Sequence, residues 1–284
     1  MNAHNKRHHF LIAASMAVAI SVLSLTTHGI PGGLANAAPV GKTKKGITHM
    51  ASQTSIVLVH GAFADGSGWS KIIPLLEKDG YTVTAVQNPL TSIADDIATT
   101  KRVIDAQKGP IVVVGHSYGG AVITSAAAGN ANVKALVYVN AFAPDEGEKL
   151  TAGSEKFAPP PLNSALVPDS AGFLYVDRAK FHEDFCADLP AVEARVMAAT
   201  QKPLSATVFD ATVSGAAWKS IPSWYIVGTE DQAINPDFER FLAKRMGAKT
   251  TEIKSSHVSF LSQPTMVVKV IEEAAKAAAS SAQE

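Results

Sequence analysis

Cysteine is nearly absent from this chain. The 284 residues hold Cys186 alone, so no internal disulfide can brace the fold, whatever its redox compartment. Cys186 is read as a small buried apolar residue. Net charge is also missing: 25 Lys and Arg cancel 25 Asp and Glu. No overall field therefore draws a polyanion, and nucleic acid is not an expected partner. Charged residues make up only 18% against 46% hydrophobic, a balance that excludes a largely disordered protein. No internal repeat is present. The apolar run Phe10 to Leu25 is about sixteen residues, short of the roughly 20 that a permanent membrane-spanning helix needs.

That run follows Lys6 and Arg7 and leads into small residues ending at Ala35-Asn36-Ala37, the layout of a secretory signal. Residues 1–37 are expected to be a signal peptide, and 38–54, rich in Lys, Gly, Thr and Ser, a flexible linker. Residues 55–284 are then one domain, since a single core can grow to roughly 250–300 residues. The expected location is secreted or periplasmic, with no stable membrane anchor after cleavage. Translation starting at Met50 is the other reading. Sequencing the N-terminus of exported protein should find a start near Ala38, and a cytosolic product beginning at Met50 would overturn the leader.

The domain alternates. Short β-branched runs at 55–59, 82–86, 111–114, 135–139 and 224–227 predict buried parallel strands, and 250–253 a last one. Apolar spacings of three and four predict helices over 69–78 and 93–107, and Pro236 opens another over 238–246. The Ala-rich tail 267–278 is helical by propensity. Strand then helix, repeated, predicts an α/β fold with a doubly wound, mostly parallel sheet. The repeat breaks between about 144 and 221, too long for a simple loop. A helical cap inserted between strands, above the strand ends where ligands of open α/β sheets bind, is expected there.

Gly115-His116-Ser117-Tyr118-Gly119 directly follows the strand 111–114 and precedes the helical run 121–128. A serine on such a sharp strand-to-helix turn projects its hydroxyl, and small residues on both sides allow the crowded backbone. Ser117 is the expected nucleophile. It needs a base, and the base needs an acceptor that holds its tautomer. In the order nucleophile, acid, histidine, the chain offers Asp231, with Glu230 as competitor, and then His257, each just past a predicted strand. His60, His116 and His182 all precede the acid, and His60 and His116 are read as packing residues. Tyr118, next after the serine, and Ala62, in the turn after the first strand, are the expected backbone donors to an oxyanion, with Phe63 lining the pocket. Phe157, Leu162, Phe173, Leu174, Phe181, Phe185 and Trp218 are apolar candidates in the cap.

With His60-Gly61-Ala62, Gly68-Trp69, Gly115-His116-Ser117-Tyr118-Gly119-Gly120, Gly228-Thr229-Glu230-Asp231 and His257, the chain resembles the lid-bearing α/β-hydrolases. That group includes plant methyl esterases, hydroxynitrile lyases and small bacterial carboxylesterases. The resemblance covers about 230 residues. It implies a Ser117, Asp231, His257 triad, an oxyanion hole at Ala62 and Tyr118, and carboxylic-ester hydrolysis through an acyl-enzyme. No cofactor and no metal is expected, and the expected partner is a small or medium apolar ester. Lyases resembling this chain carry lysine directly after the catalytic histidine, where this sequence has Val258. Lyase or perhydrolase-like activity, and a receptor that keeps the pocket without turnover, are the alternatives. Oligomeric state is not legible.

Overall fold

The structure is a computed structural model that describes residues 53–281. The expected signal peptide, nearly all of the linker and Met50 lie outside the described residues.

The strand runs that read as buried on both faces form the centre of one sheet. In chain order the elements are β1 (Ser55–Val59), α1 (Ile73–Lys78), β2 (Thr82–Ala85), α2 (Ile93–Asp105), β3 (Ile111–His116), α3 (Tyr118–Ala126) and β4 (Val133–Val139). An inserted segment carries β5 (Leu166–Pro168), β6 (Phe173–Val176), α4 (Phe181–Phe185), α5 (Ala191–Thr200) and β7 (Leu204–Ser205). The main fold resumes with β8 (Ser223–Gly228), α6 (Pro236–Met246), β9 (Lys249–Ile253), α7 (Ser259–Ser262) and α8 (Pro264–Ser280). Six strands pair in parallel in the order β2-β1-β3-β4-β8-β9. β1 and β3 are wholly buried, and β2 at one edge is only partly covered.

The chain leaves β1 toward one edge, returns past it to β3, and then runs steadily to the other edge. Right-handed crossovers therefore put α1 and α2 on opposite faces and create a switch point between β1 and β3. The carboxyl ends of those two strands carry Gly61-Ala62 and Ser117. α3 packs on β3 and against α2, and every one of its residues is buried. Such a helix has no solvent face and can read apolar all round. α8 covers β3, β4 and β8 with a stripe of Val267, Ile271, Ala274 and Ala278.

Local chemistry explains several boundaries. Ser92 caps α2 by accepting from the Asp95 N–H at 3.1 Å, and Asn235 caps α6 by accepting from the Asp237 N–H at 2.8 Å. The helix predicted over 69–78 is broken: residues 66–71 wind as a 3₁₀ turn before α1 begins at Ile73 with Pro74 in its first turn, where a missing N–H costs nothing. The helix predicted from Ala121 starts at Tyr118. Beside its short helices, the inserted segment holds the antiparallel sheet β5-β6-β7, which no pattern had marked. Its strands are two to four residues long, β5 largely exposed, β6 half-buried and β7 buried, too short to show alternation. No described helix is long and apolar enough to cross a membrane.

Candidate active site

β3 ends in a turn that leaves Ser117 at φ 54°, ψ −125°, a conformation costly for any residue with a Cβ and typical of functional positions. The turn is possible because its neighbours lack side chains. A Cβ on Gly115 would lie 2.7 Å from the Gly119 carbonyl oxygen, and one on Gly119 2.6 Å from the Val59 carbonyl oxygen. Backbone atoms cannot yield to such a contact. Gly115→Ala should therefore destabilise the protein by about 1–3 kcal/mol, read as a lower midpoint in thermal unfolding; an unchanged midpoint would refute the crowding argument.

His257 lies in the loop after β9, almost fully buried, and its Nδ1–H donates to Asp231 Oδ2 at 2.6 Å. A carboxylate only accepts, so this contact places the ring proton on Nδ1 and leaves Nε2 as a free acceptor. Asp231 is itself held firmly. Its Oδ1 accepts the Ala233 and Ile234 N–H groups at 2.7 and 2.9 Å, and its Oδ2 also accepts Asn140 Nδ2 at 3.2 Å. Glu230, the competing acid, points outward with a half-exposed side chain 3.6 Å from Lys254 Nζ. Its backbone N–H donates to the Ser255 carbonyl, so the loop can aim only the next side chain inward.

Ser117, His257, Ala62, Phe63 and Tyr118 line one cavity of about 60 Å³ at the strand ends. The Ala62 and Tyr118 N–H groups make no turn or loop bond among the described residues, leaving both donors available. Phe63, at φ 60°, sets its ring edge-on to Phe185 of the insertion at 6.3 Å. Leu162, Leu204 and Phe209 complete the apolar lid of the cavity. Of the apolar residues singled out beforehand, Leu162 and Phe185 reach the cavity. Phe157 lines an adjoining groove of about 280 Å³ together with Pro159, Pro160 and Phe238. Phe173 and Leu174 lie half-buried on β6, Phe181 packs against Phe185, and Trp218 donates its indole N–H to the Pro144 carbonyl.

His60 and His116 serve the framework. His60 Nδ1–H donates to the Gly61 carbonyl at 2.8 Å and Nε2 accepts the Asn88 N–H at 3.0 Å, which pins the turn bearing Ala62. Burial pushes its pKa down to about 4, so it is neutral. His116 Nε2–H donates to the His257 carbonyl at 2.9 Å, and burial, then the neighbouring His257, hold it well below the usual imidazole range. The insertion takes part too: Asp188 accepts both the N–H and the hydroxyl of Ser256, the residue before His257. Asn140, Asp188 and Glu239 escaped the sequence reading. Asn140 follows β4 at φ 46°, and an Asn directly after an apolar strand was the one available hint. Among the described residues no group of three or more His, Cys, Asp or Glu is placed to hold a metal ion.

A family model described as the alpha/beta hydrolase family matches residues 56–270. The chain belongs to that family. Among its relatives, polyneuridine aldehyde esterase of Rauvolfia serpentina is 27% identical over 249 residues, covering 77% of this chain and 94% of the relative. Methylesterase 8 of Arabidopsis thaliana is 27% identical over 207 residues, covering 66% and 75%. The crystal structure of polyneuridine aldehyde esterase superposes with a TM-score of 0.67 at 23% identity, covering 78% of this chain and 98% of that one. The structural likeness shows the same fold, an alpha/beta hydrolase with a mostly parallel six-stranded sheet.

Proposed function

We propose that this alpha/beta hydrolase is a serine carboxylesterase acting on small to medium apolar esters through an acyl-enzyme. The observation that carries the reading is the 2.6 Å Asp231–His257 contact opening onto the same cavity as the strained Ser117. His257 Nε2 takes the Ser117 hydroxyl proton as Oγ attacks the ester carbonyl, and Asp231 steadies the imidazolium that forms. The Ala62 and Tyr118 N–H groups receive the oxyanion. His257 returns its proton to the departing alcohol, and a water activated in the same way releases the acid.

The walls support this substrate class. No Lys or Arg lines either the cavity or the groove, and Glu155 is the single acidic side chain in the groove. An anionic substrate would find no countercharge. The cavity is narrow, so the bulk of an ester beyond its reacting carbonyl would rest in the groove against Phe157 and Phe238. The esterase names of the relatives are in keeping with this reading.

Incubation with a fluorophosphonate tests it directly. One label per chain is expected, found by peptide mass on Ser117, together with saturable turnover of p-nitrophenyl acetate. Absence of both label and turnover in folded protein would favour a ligand-binding role instead.

A further inference from the structure

Behind the Asp231–His257 pair lies a second carboxyl group that the chemistry above does not use. Glu239 sits on α6 with no exposure at all, on the face shared by Phe238, Leu242 and Ala243 that packs against β8. Its Oε2 accepts the Gly228 N–H at 3.0 Å. Its Oε1 is buried and makes no hydrogen bond among the described residues, and the carboxyl faces the side chains of Asp231 and Asn140.

Two ionised carboxyls in contact and away from water repel each other, and one of them takes a proton. The donor sets decide which. Asp231 accepts four hydrogen bonds, from two backbone N–H groups, Asn140 and His257, and each favours its charged form. Glu239 accepts one, from the Gly228 N–H, and Asn140, which also faces it, donates to Asp231 at 3.2 Å. A proton on Glu239 Oε1 gives that atom a role as donor and removes the second charge. Burial, then the Asp231 charge, push the Glu239 carboxyl well above the usual carboxylate range. The other groups facing it agree. Tyr225 on β8 is held well above the ordinary phenol range by burial and so is neutral, its hydroxyl donates to the Ala141 carbonyl, and Tyr138 stacks on its ring. Asn140, directly after β4, is neutral, and His257 is bonded to Asp231.

We propose that Glu239 is a positioning residue of the triad: a neutral acid that donates a hydrogen bond to Asp231, so that the buried layer behind His257 carries one negative charge instead of two. The proposal rests on the serine esterase reading. By drawing charge from Asp231, this donor limits how tightly the carboxylate holds a proton on His257.

The pH dependence of kcat/KM with p-nitrophenyl acetate tests it in Glu239→Gln and Glu239→Leu. Glutamine keeps both an acceptor for Gly228 and a donor for Asp231, so the acid limb should stay at the pH of the unaltered protein. Leucine removes the donor, so the limb should move to higher pH by about half a unit or more, with kcat reduced several-fold and KM changed less. A limb that falls to lower pH in Glu239→Gln would mean that a charge was removed, and would overturn the proposal. So would a limb unmoved in folded Glu239→Leu.

An infrared difference spectrum at pH 7 gives a readout that needs no turnover and serves if the leucine variant fails to fold. The carbonyl stretch of a neutral carboxylic acid should be present in the unaltered protein and lost in Glu239→Gln. Its absence from the unaltered protein would overturn the Glu239 proposal alone. Its presence in a protein with no esterase turnover would support a neutral Glu239 while refuting the esterase reading.

Discussion

Ser117→Ala is expected to lower kcat/KM for p-nitrophenyl acetate by on the order of 10⁶-fold, the scale seen when a triad nucleophile is removed. His257, Asp231 and the two oxyanion donors would remain in place, but no group would be left to form the acyl bond. The substitution deletes one oxygen at a cavity wall and keeps the Cβ, so the backbone at φ 54° carries the same strain before and after. Thermal unfolding should therefore be nearly unchanged. Full residual activity in a protein with an unaltered circular dichroism spectrum would remove Ser117 from the mechanism.

Asp231→Asn should cost about 10⁴-fold in kcat, the loss recorded when the acid of a serine protease triad becomes its amide. The reason lies in the donors around this side chain. An amide oxygen facing Ala233 and Ile234, whose N–H groups now meet Asp231 Oδ1 at 2.7 and 2.9 Å, would turn its NH₂ toward His257 and Asn140. A donor would then face the imidazole nitrogen that now donates, and the ring would shift its proton to Nε2, the atom required as base. Glu230→Gln should change kcat by less than about twofold, because its exposed ion pair with Lys254 is worth at most about 1 kcal/mol. Measured side by side on folded proteins, a greater loss in Glu230→Gln would make Glu230 the acid and overturn Asp231.

Most of the sheet was legible because its strands are coded locally. Runs such as Ile111-Val112-Val113-Val114 are apolar throughout, as a strand buried on both faces must be. The turn at Ser117 was legible for a similar reason, since only glycine at 115 and 119 leaves room for the neighbouring carbonyls. The broken helix over 69–78 was not, because a 3₁₀ turn and an α-helix share the i, i+3 spacing from which it was read.

The sequence by itself determined the strand-then-helix alternation of the main sheet, the crowded turn that carries Ser117, and the placing of a carboxylate and a histidine after the later strands. These follow from side-chain volume and periodicity over a few residues, which any fold of this chain must respect. Tertiary structure supplied the means by which Asp231, the acid the resemblance implies, meets His257 while Glu230 does not: a backbone bond from Glu230 to Ser255 links two separate loops. It also decided that Asn140, from just after β4, and Glu239, from α6, meet behind Asp231. In the sequence Glu239 is one acid in the polar pattern of an amphipathic helix. Its burial depends on the rotation of α6 against β8 and on the proton that makes such burial tolerable, and neither is written in the residues beside it.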